Sequence, residues 1–244
     1  MLSVEALTLQ VDGRVLVTDF ACDLAVGEIT CLIGPSGCGK TSVLKHLAGI
    51  LPPQIVAQGQ MALDGSPIQC PHPDIVYQPQ SDALFPWLTI AGNAALGLEM
   101  AGVPAKAARE TVVAQFETFG LAGCETLYPE QISGGMRQRA AFLRTIVQDS
   151  RFVLLDEPFS ALDAVTRLRM QDWLCARLAE TPRGVFMVTH DLHEATQMAD
   201  RILVMSAGSG PLLANIPIPT PRESRNEAAL ADIRTTLKTL LLET

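Results

Sequence analysis

The residues Gly34-Pro35-Ser36-Gly37-Cys38-Gly39-Lys40-Thr41 could grip a polyphosphate. Their spacing is G-x-x-x-x-G-K-[ST]. A peptide that wraps phosphates closely must turn its N–H groups inward and keep its side chains small. A helix starting at the end of the loop adds free N–H groups and the positive end of a dipole. Lys40 supplies a mobile cation for β- and γ-phosphates, and the Thr41 hydroxyl a ligand for Mg²⁺. Downstream, Phe152-Val153-Leu154-Leu155-Asp156-Glu157 is an apolar run ending in two carboxylates. In open α/β sheets, ligands collect beyond the carboxyl ends of strands. Asp156 is there placed to hold Mg²⁺ through water, and Glu157 to orient or deprotonate an attacking water. Acids often open the loop after a strand, so this pair takes its meaning from the phosphate loop. A third segment, Ile132-Ser133-Gly134-Gly135-Met136-Arg137-Gln138-Arg139, offers a hydroxyl and two glycine N–H groups at a helix start. Helix capping explains the serine, but not a second phosphate-sized site so far along the chain.

These groups need strands that end together and helices that begin there. Residues 28–33 read as a strand running into the phosphate loop. Behind the loop, Val43, Leu44, Leu47 and Ala48 share a helical face, and Gly49 is a stop signal. Asp12-Gly13 marks a turn among short strands over 4–33. Pro52-Pro53 breaks the chain, and 55–77 again reads as strands and turns. Residues 88–148 read as helical, with joints near Gly102-Val103-Pro104 and over 120–129. Three short apolar runs, 152–155, 185–188 and 202–205, alternate with helical stretches at 163–180 and 191–199. That alternation predicts a parallel sheet covered on both faces. Toward the end, Ile216-Pro217-Ile218-Pro219-Thr220-Pro221 must be extended, because each proline disfavours helix at the residue before it. An amphipathic helix follows from about 226 to 242, with Leu230, Ile233, Leu237, Leu240 and Leu241 on one side, expected to dock on the core.

The chain has 244 residues, 48% apolar and 18% charged, enough for one large core with an appendage. A formal net charge of −8 lacks the surplus of Lys and Arg that sequence-independent nucleic-acid binding needs, so no nucleic-acid partner is expected. The six cysteines form no C-x-x-C pair and no zinc spacing, and read as reduced thiols. Cys38, in the loop beside a helix N-terminus, sits in a setting that makes thiols reactive. Alkylation there is expected to block hydrolysis and Mg-ATP to protect; an inert, space-filling thiol is the alternative. The first residues lack the pattern of a signal peptide, and no run approaches the roughly 18 apolar residues of a membrane span. A cytosolic chain is expected, with any pore supplied by another polypeptide.

Taken in order, these segments resemble the ABC ATPase family over nearly the whole length. Three further segments carry the resemblance. Gln78, in Val76-Tyr77-Gln78, looks like the loop glutamine that senses Mg²⁺ and the membrane subunit. Ser160-Ala161-Leu162-Asp163 resembles the loop that crosses the dimer interface, and His190, in Val188-Thr189-His190-Asp191, the switch histidine that contacts the γ-phosphate. The resemblance implies an α/β fold of the P-loop NTPase kind: a mixed sheet core, a small antiparallel β subdomain and an α-helical subdomain. It places the ATPase domain at 1–205, its helical subdomain at about 88–150, and a C-terminal extension at 206–244. It also implies two cassettes paired head to tail, as a homodimer. Each ATP would lie between one chain's phosphate loop and the other's Ser133-Gly134-Gly135, with Glu157 activating water and His190 steadying the γ-phosphate. The implied cofactors are ATP and Mg²⁺, the latter near Thr41, Gln78 and Asp156.

Two features depart from the family. The place of the aromatic residue that stacks on adenine holds only Val11, so aliphatic contact is expected there. The signature begins with Ile132 where Leu is usual. Phe85-Pro86-Trp87, Asp163-Ala164-Val165-Thr166-Arg167, Gln171-Asp172-Trp173 and the tail from Asn215 to Arg222 look like the nitrate/sulfonate/taurine importer branch, which also holds importers of thiamine precursors. An exposed Phe85-Pro86-Trp87 cluster suits a groove for a partner's helix; Trp87 plugging a joint between subdomains is the alternative. The branch implies an integral membrane permease as partner, a periplasmic or extracellular solute-binding protein beyond it, and a peripheral position on the cytoplasmic face of the inner membrane. A soluble ABC ATPase in cofactor assembly is the competing reading.

Overall fold

Apolar runs too short for helices form the centre of the molecule. In the computed structural model, which describes residues 1–208 and 212–242, three of them are strands with every residue buried: β3 (Ile29–Ile33), β7 (Phe152–Asp156) and β8 (Gly184–Val188). Continuous burial is what a parallel strand covered on both faces requires. With β6 (Ile75–Gln78), β9 (Arg201–Met205) and β10 (Leu212–Pro217) they form a sheet of order β10-β9-β3-β8-β7-β6. All neighbours in it are parallel except β10, which runs antiparallel to β9. A second, antiparallel sheet of order β2-β1-β4-β5 is built from β1 (Leu2–Val11), β2 (Arg14–Leu24), β4 (Ile55–Leu63) and the short β5 (Ser66–Pro67).

Register decides which loops meet. Gln78 pairs with Leu155, Asp156 with Val188, and Leu32 with Val188. Strands β3, β6, β7 and β8 therefore finish at one edge, and the segments beginning at residues 34, 79, 157 and 189 all emerge there.

The helices cover this frame. Helix α1 (Lys40–Leu47) buries Val43, Leu44 and Leu47 in a core shared with the antiparallel sheet. It stops where Gly49 takes a φ of 72°. Helices α2 (Ile90–Met100), α3 (Ala105–Val113) and α4 (Gly134–Ile146) form the helical region, and α5 (Ala164–Glu180) and α6 (Leu192–Met198) pack on the other core. Trp173 of α5 meets the helical region edge-on, its ring 4.8 Å from Phe119 and 6.2 Å from Phe142. Trp173, not Trp87, fills that joint; Trp87 is 69% exposed and touches Phe85 at 5.1 Å.

The tail holds one surprise. Extended conformation from Ile216 was expected, but pairing was not: Leu212–Pro217 is an edge strand on β9. Proline is tolerated on an edge strand because its missing N–H is not needed by a neighbour. The final helix α7 (Glu227–Leu242) docks on its own core, with Leu230 and Leu237 fully buried and Ile233, Leu240 and Leu241 packed against it. Arg225 and Arg234 hold it to α6 through the Thr196 and Gln197 carbonyls and the Thr196 hydroxyl. No helix among the described residues is long and apolar enough to cross a membrane.

Candidate nucleotide site

The phosphate loop lies between β3 and α1, as its chemistry demands. Gly39 has a φ of 100°, and a Cβ there would come within 2.5 Å of a Val17 methyl. A Cβ on Gly34 would meet the Met205 carbonyl at 2.9 Å. Both are forbidden contacts, so these glycines are required by the fold itself. Helix α1 has no side-chain cap and no acid in its first turn, which leaves its first N–H groups free for an anion. Lys40 is nearly buried, and its Nζ donates to the carbonyls of Gly34 and Pro35, both at 2.8 Å. A cavity of about 370 Å³ opens above, lined by Ser36, Gly37, Gly39, Lys40 and Thr41 with Leu16, Gln80 and Glu157.

Two expectations for this loop change. Cys38 is 1% exposed, with its thiol packed in the core cluster beside Val43 and Leu44. The loop would have to open before a reagent reached it, so the space-filling reading fits the geometry. Val11 pairs with Arg14 at the tip of the β1–β2 hairpin and is not among the residues lining the cavity. Leu16, on the strand that returns past the loop, does line it. The register of a hairpin was needed to see this.

Asp156 ends β7 with its side chain buried. One carboxylate oxygen accepts from the Thr41 hydroxyl at 3.1 Å and the other from the Tyr77 hydroxyl at 3.3 Å. Burial pushes its carboxyl above the usual range, and the two hydroxyl donors partly offset this. Burial also pushes the Tyr77 phenol up, so it stays a donor. A desolvated carboxylate next to a hydroxyl, at the mouth of a phosphate cradle, is a hard-oxygen donor set. It fits Mg²⁺, which prefers one or two carboxylates and keeps water and phosphate oxygens for the rest.

Glu157 follows with a φ of 47°, a strained conformation for a residue with a side chain. Its N–H donates to the Val188 carbonyl at 3.0 Å, which pins the turn. The strain aims the carboxylate at the cavity. Its Oε2 accepts from Gln80 Nε2 at 2.9 Å and lies 3.2 Å from His190 Nδ1. His190 is two-thirds exposed, so Glu157 and His190 meet at the surface of the cradle.

Gln78 is not at that surface. It is fully buried, accepts from the Thr145 hydroxyl at 2.6 Å and donates to the Pro79 carbonyl at 3.3 Å. It is still inside β6, paired one step short of Asp156, so it ties the strand to α4. Gln80, two residues on, clears the strand and reaches Glu157. The signal was in the chain: polar residues flank Pro79, and only the second lies past the last ladder partner.

Ser133 caps α4, its Oγ accepting from the Met136 N–H at 3.3 Å. Ser133 and Gly134 are exposed, and neither lines the cradle of its own chain. A Cβ on Gly134 would find its first neighbour at 3.6 Å, and one on Gly135 likewise. Helix α4 instead grips the loop that carries Gln80. Gln138 donates to the carbonyls of Gln80 and Pro158, Arg137 pairs with Asp82 at 2.9 Å, and Arg144 donates to the carbonyls of Asp82 and Ala83. Buried Asn93 shapes the same loop, bonding the N–H and carbonyl of Phe85 and the carbonyls of Leu88 and Thr89.

Known proteins share this arrangement. The family described as ABC transporter matches residues 17–160, more than half of the chain. The Taurine import ATP-binding protein TauB of Yersinia pestis bv. Antiqua is 36% identical over 218 residues, covering 89% of this chain and 84% of that protein. Its counterpart in Escherichia coli strain K12 is 37% identical over the same lengths. Among solved structures, the dimer of a bacterial ABC transporter cassette superposes with a TM-score of 0.80 at 22% identity, covering 91% of this chain and all of that one. The ATP-binding subunit of another ABC transporter gives 0.78 at 20% identity, covering 100% and 96%. With its phosphate loop, acid pair and exposed helix-capping serine in that family's order and fold, this chain belongs to the ABC transporter ATP-binding family.

Proposed function

We propose that this chain hydrolyses ATP to drive solute import through a separate membrane permease. The observation that carries the reading is the Glu157 carboxylate, held between Gln80 and His190 at the mouth of the Lys40 cradle. The cradle binds the triphosphate through backbone N–H groups and Lys40. Glu157 takes the proton of an attacking water as its oxygen bonds to the γ-phosphorus, and the bond to the β-phosphate oxygen breaks, giving ADP and phosphate. His190 steadies the γ-phosphate. Thr41 and Asp156, with Gln80, would hold Mg²⁺, which supplies charge neutralisation on the β- and γ-phosphates.

The chain acts paired with a second copy. Ser133 and Gly134 are exposed, Gly135 is half-buried, and none of the three lines the cradle of its own chain, which supports their donation to the nucleotide of the other. ATP then bridges two surfaces and favours the closed pair. Residues 1–205 are taken as the ATPase unit, with its helical part at about 88–150, and 206–244 as the extension, whose strand β10 joins the main sheet and whose helix α7 packs on α6. The permease docks against Phe85-Pro86-Trp87, exposed and adjoining the loop that carries Gln80. The chain then sits peripherally on the cytoplasmic face, with a solute-binding protein serving the permease from the other side. The named relatives import taurine, and a small sulfonate or a solute of that branch is the cargo; this subunit does not touch it.

Glu157→Gln tests the reading. Turnover should fall at least about 100-fold, while ATP still binds and now traps a stable dimer by size-exclusion chromatography. Hydrolysis by that variant at the parental rate would remove Glu157 from the mechanism.

A further inference from the structure

We infer that Glu194 is a positioning residue for His190: it fixes the turn that presents the imidazole to Glu157 and ties that turn to helix α5. The inference rests on the reading of His190 as the switch residue.

The imidazole itself is two-thirds exposed, so its placement must come from the backbone that carries it. That backbone is bracketed by one hydroxyl. Thr189 is 2% exposed, and its Oγ1 accepts from the Asp191 N–H at 3.1 Å, closing a tight turn over His190. The same hydroxyl donates to Glu194 Oε2. The other carboxylate oxygen, Oε1, accepts from Gln171 Nε2 at 2.9 Å, on α5. Asp191 completes the turn, accepting the N–H groups of His193 and Glu194 and facing Arg167 at 3.5 Å.

The chemistry of the carboxylate gives the network one direction. Ionised, it only accepts, so Thr189 must donate to it and is left to accept from Asp191. An amide at 194 can donate or accept, and the order of bonds around His190 is then no longer dictated. Burying a carboxylate this deeply is unfavourable, and burial indeed pushes the Glu194 carboxyl up. Packing alone does not call for an ionisable group here. Glu194 also lines, with Glu157, Ser160, Arg167 and His190, one small cavity of about 40 Å³. Its side chain thus borders the same small space as the Glu157–His190 pair. Through Gln171 the bond reaches α5, which is capped by Asp163, directly after Ser160-Ala161-Leu162.

The test is a mutant cycle on the full chain, with ATPase kinetics and thermal melts for each variant. Glu194→Gln should lower kcat about 10-fold or more, with KM for ATP within about 2-fold and the fold retained. Thr189→Val should do the same, and Thr189→Ser, which keeps the hydroxyl, should return kcat to within about 3-fold of the parent. This serine rescue keeps the test decisive should Glu194→Gln misfold. In a His190→Ala background, Glu194→Gln should have no further effect on single-turnover hydrolysis. An unchanged kcat in Glu194→Gln, or an equal loss with and without His190, overturns the inference while leaving the switch assignment standing. A His190→Ala variant at the parental kcat overturns the switch assignment itself and this inference with it.

Discussion

The phosphate loop and the turn at Ser133 are built from the same parts and used differently. Each is a glycine-rich entrance to a helix with no acid in its first turn. In the phosphate loop, the chain's own packing requires the glycines: side chains at 34 and 39 would collide with Met205 and Val17. Lys40 is likewise held by carbonyls of its own loop. At Ser133 nothing in the chain forbids a side chain on Gly134 or Gly135, and the turn faces outward. One region is complete within a single chain. The other is left open by its own chain, as the proposed half-site requires.

Four substitutions press on that contrast. The largest effect is expected from Ser133→Arg, which puts a long cation on the open turn. Turnover should drop about 100-fold or more as the pair fails to close, while ATP affinity of dilute monomer, measured by equilibrium binding, stays within about 2-fold. If monomer binding collapses as well, the two regions are not separable. Next comes the glycine pair. Gly39→Ala should destabilise the fold by about 2–4 kcal/mol in urea unfolding, from a left-handed backbone and a clash with Val17. Gly134→Ala should cost less than about 1 kcal/mol by the same measurement, yet weaken nucleotide-driven pairing. Equal losses of stability would erase the distinction.

The smallest effect concerns Asp156→Asn. Because burial raises the Asp156 carboxyl above its unfolded value, the folded state holds its proton more tightly. This group therefore favours folding most at pH below the unfolded value of about 4, and progressively less as pH rises through the folded pKa. At neutral pH the charged form opposes folding. Asp156→Asn should raise the melting temperature by about 2–4 °C at pH 7, and the gain should vanish toward pH 4. A lower melting point at pH 7 would show that the carboxylate stabilises its own loop without the ion.

Much of this was readable in advance, and the failures share a cause. Strands β3, β7 and β8 were visible as buried apolar runs, and α1 as a face of Val43, Leu44 and Leu47. Lys40, Thr41, Asp156, Glu157 and His190 could be proposed from the chain alone because each sits directly at a strand end or helix start, and the fold places them there. Gln78 lies away from the cavity because its position depends on ladder register, which a single chain does not display. Gln78 pairs with Leu155 and stays inside, while Gln80, past the last ladder partner, reaches Glu157. The Cys38 thiol pointed inward for a similar reason: the loop has an inside and an outside, and only the fold says which is which. The strand Leu212–Pro217 was hidden by Pro217 and the prolines that follow it, since a proline on an edge strand gives up only an N–H that no neighbour needs. Glu194 lay in no motif, because its partners Thr189 and Gln171 are brought together by the packing of α5 against α6.

The chain has only two tryptophans, and the fold has put them to opposite uses. Trp87 stands in solvent beside Phe85, while Trp173 is wedged against Phe119 and Phe142. Their emission should differ in colour, red-shifted for the first and blue-shifted for the second. Light from the molecule is thus already sorted by location, with one lamp on the outer wall and one inside the joint between helices and sheet. Replacing either ring by phenylalanine leaves a single lamp lit, and no dye need be attached.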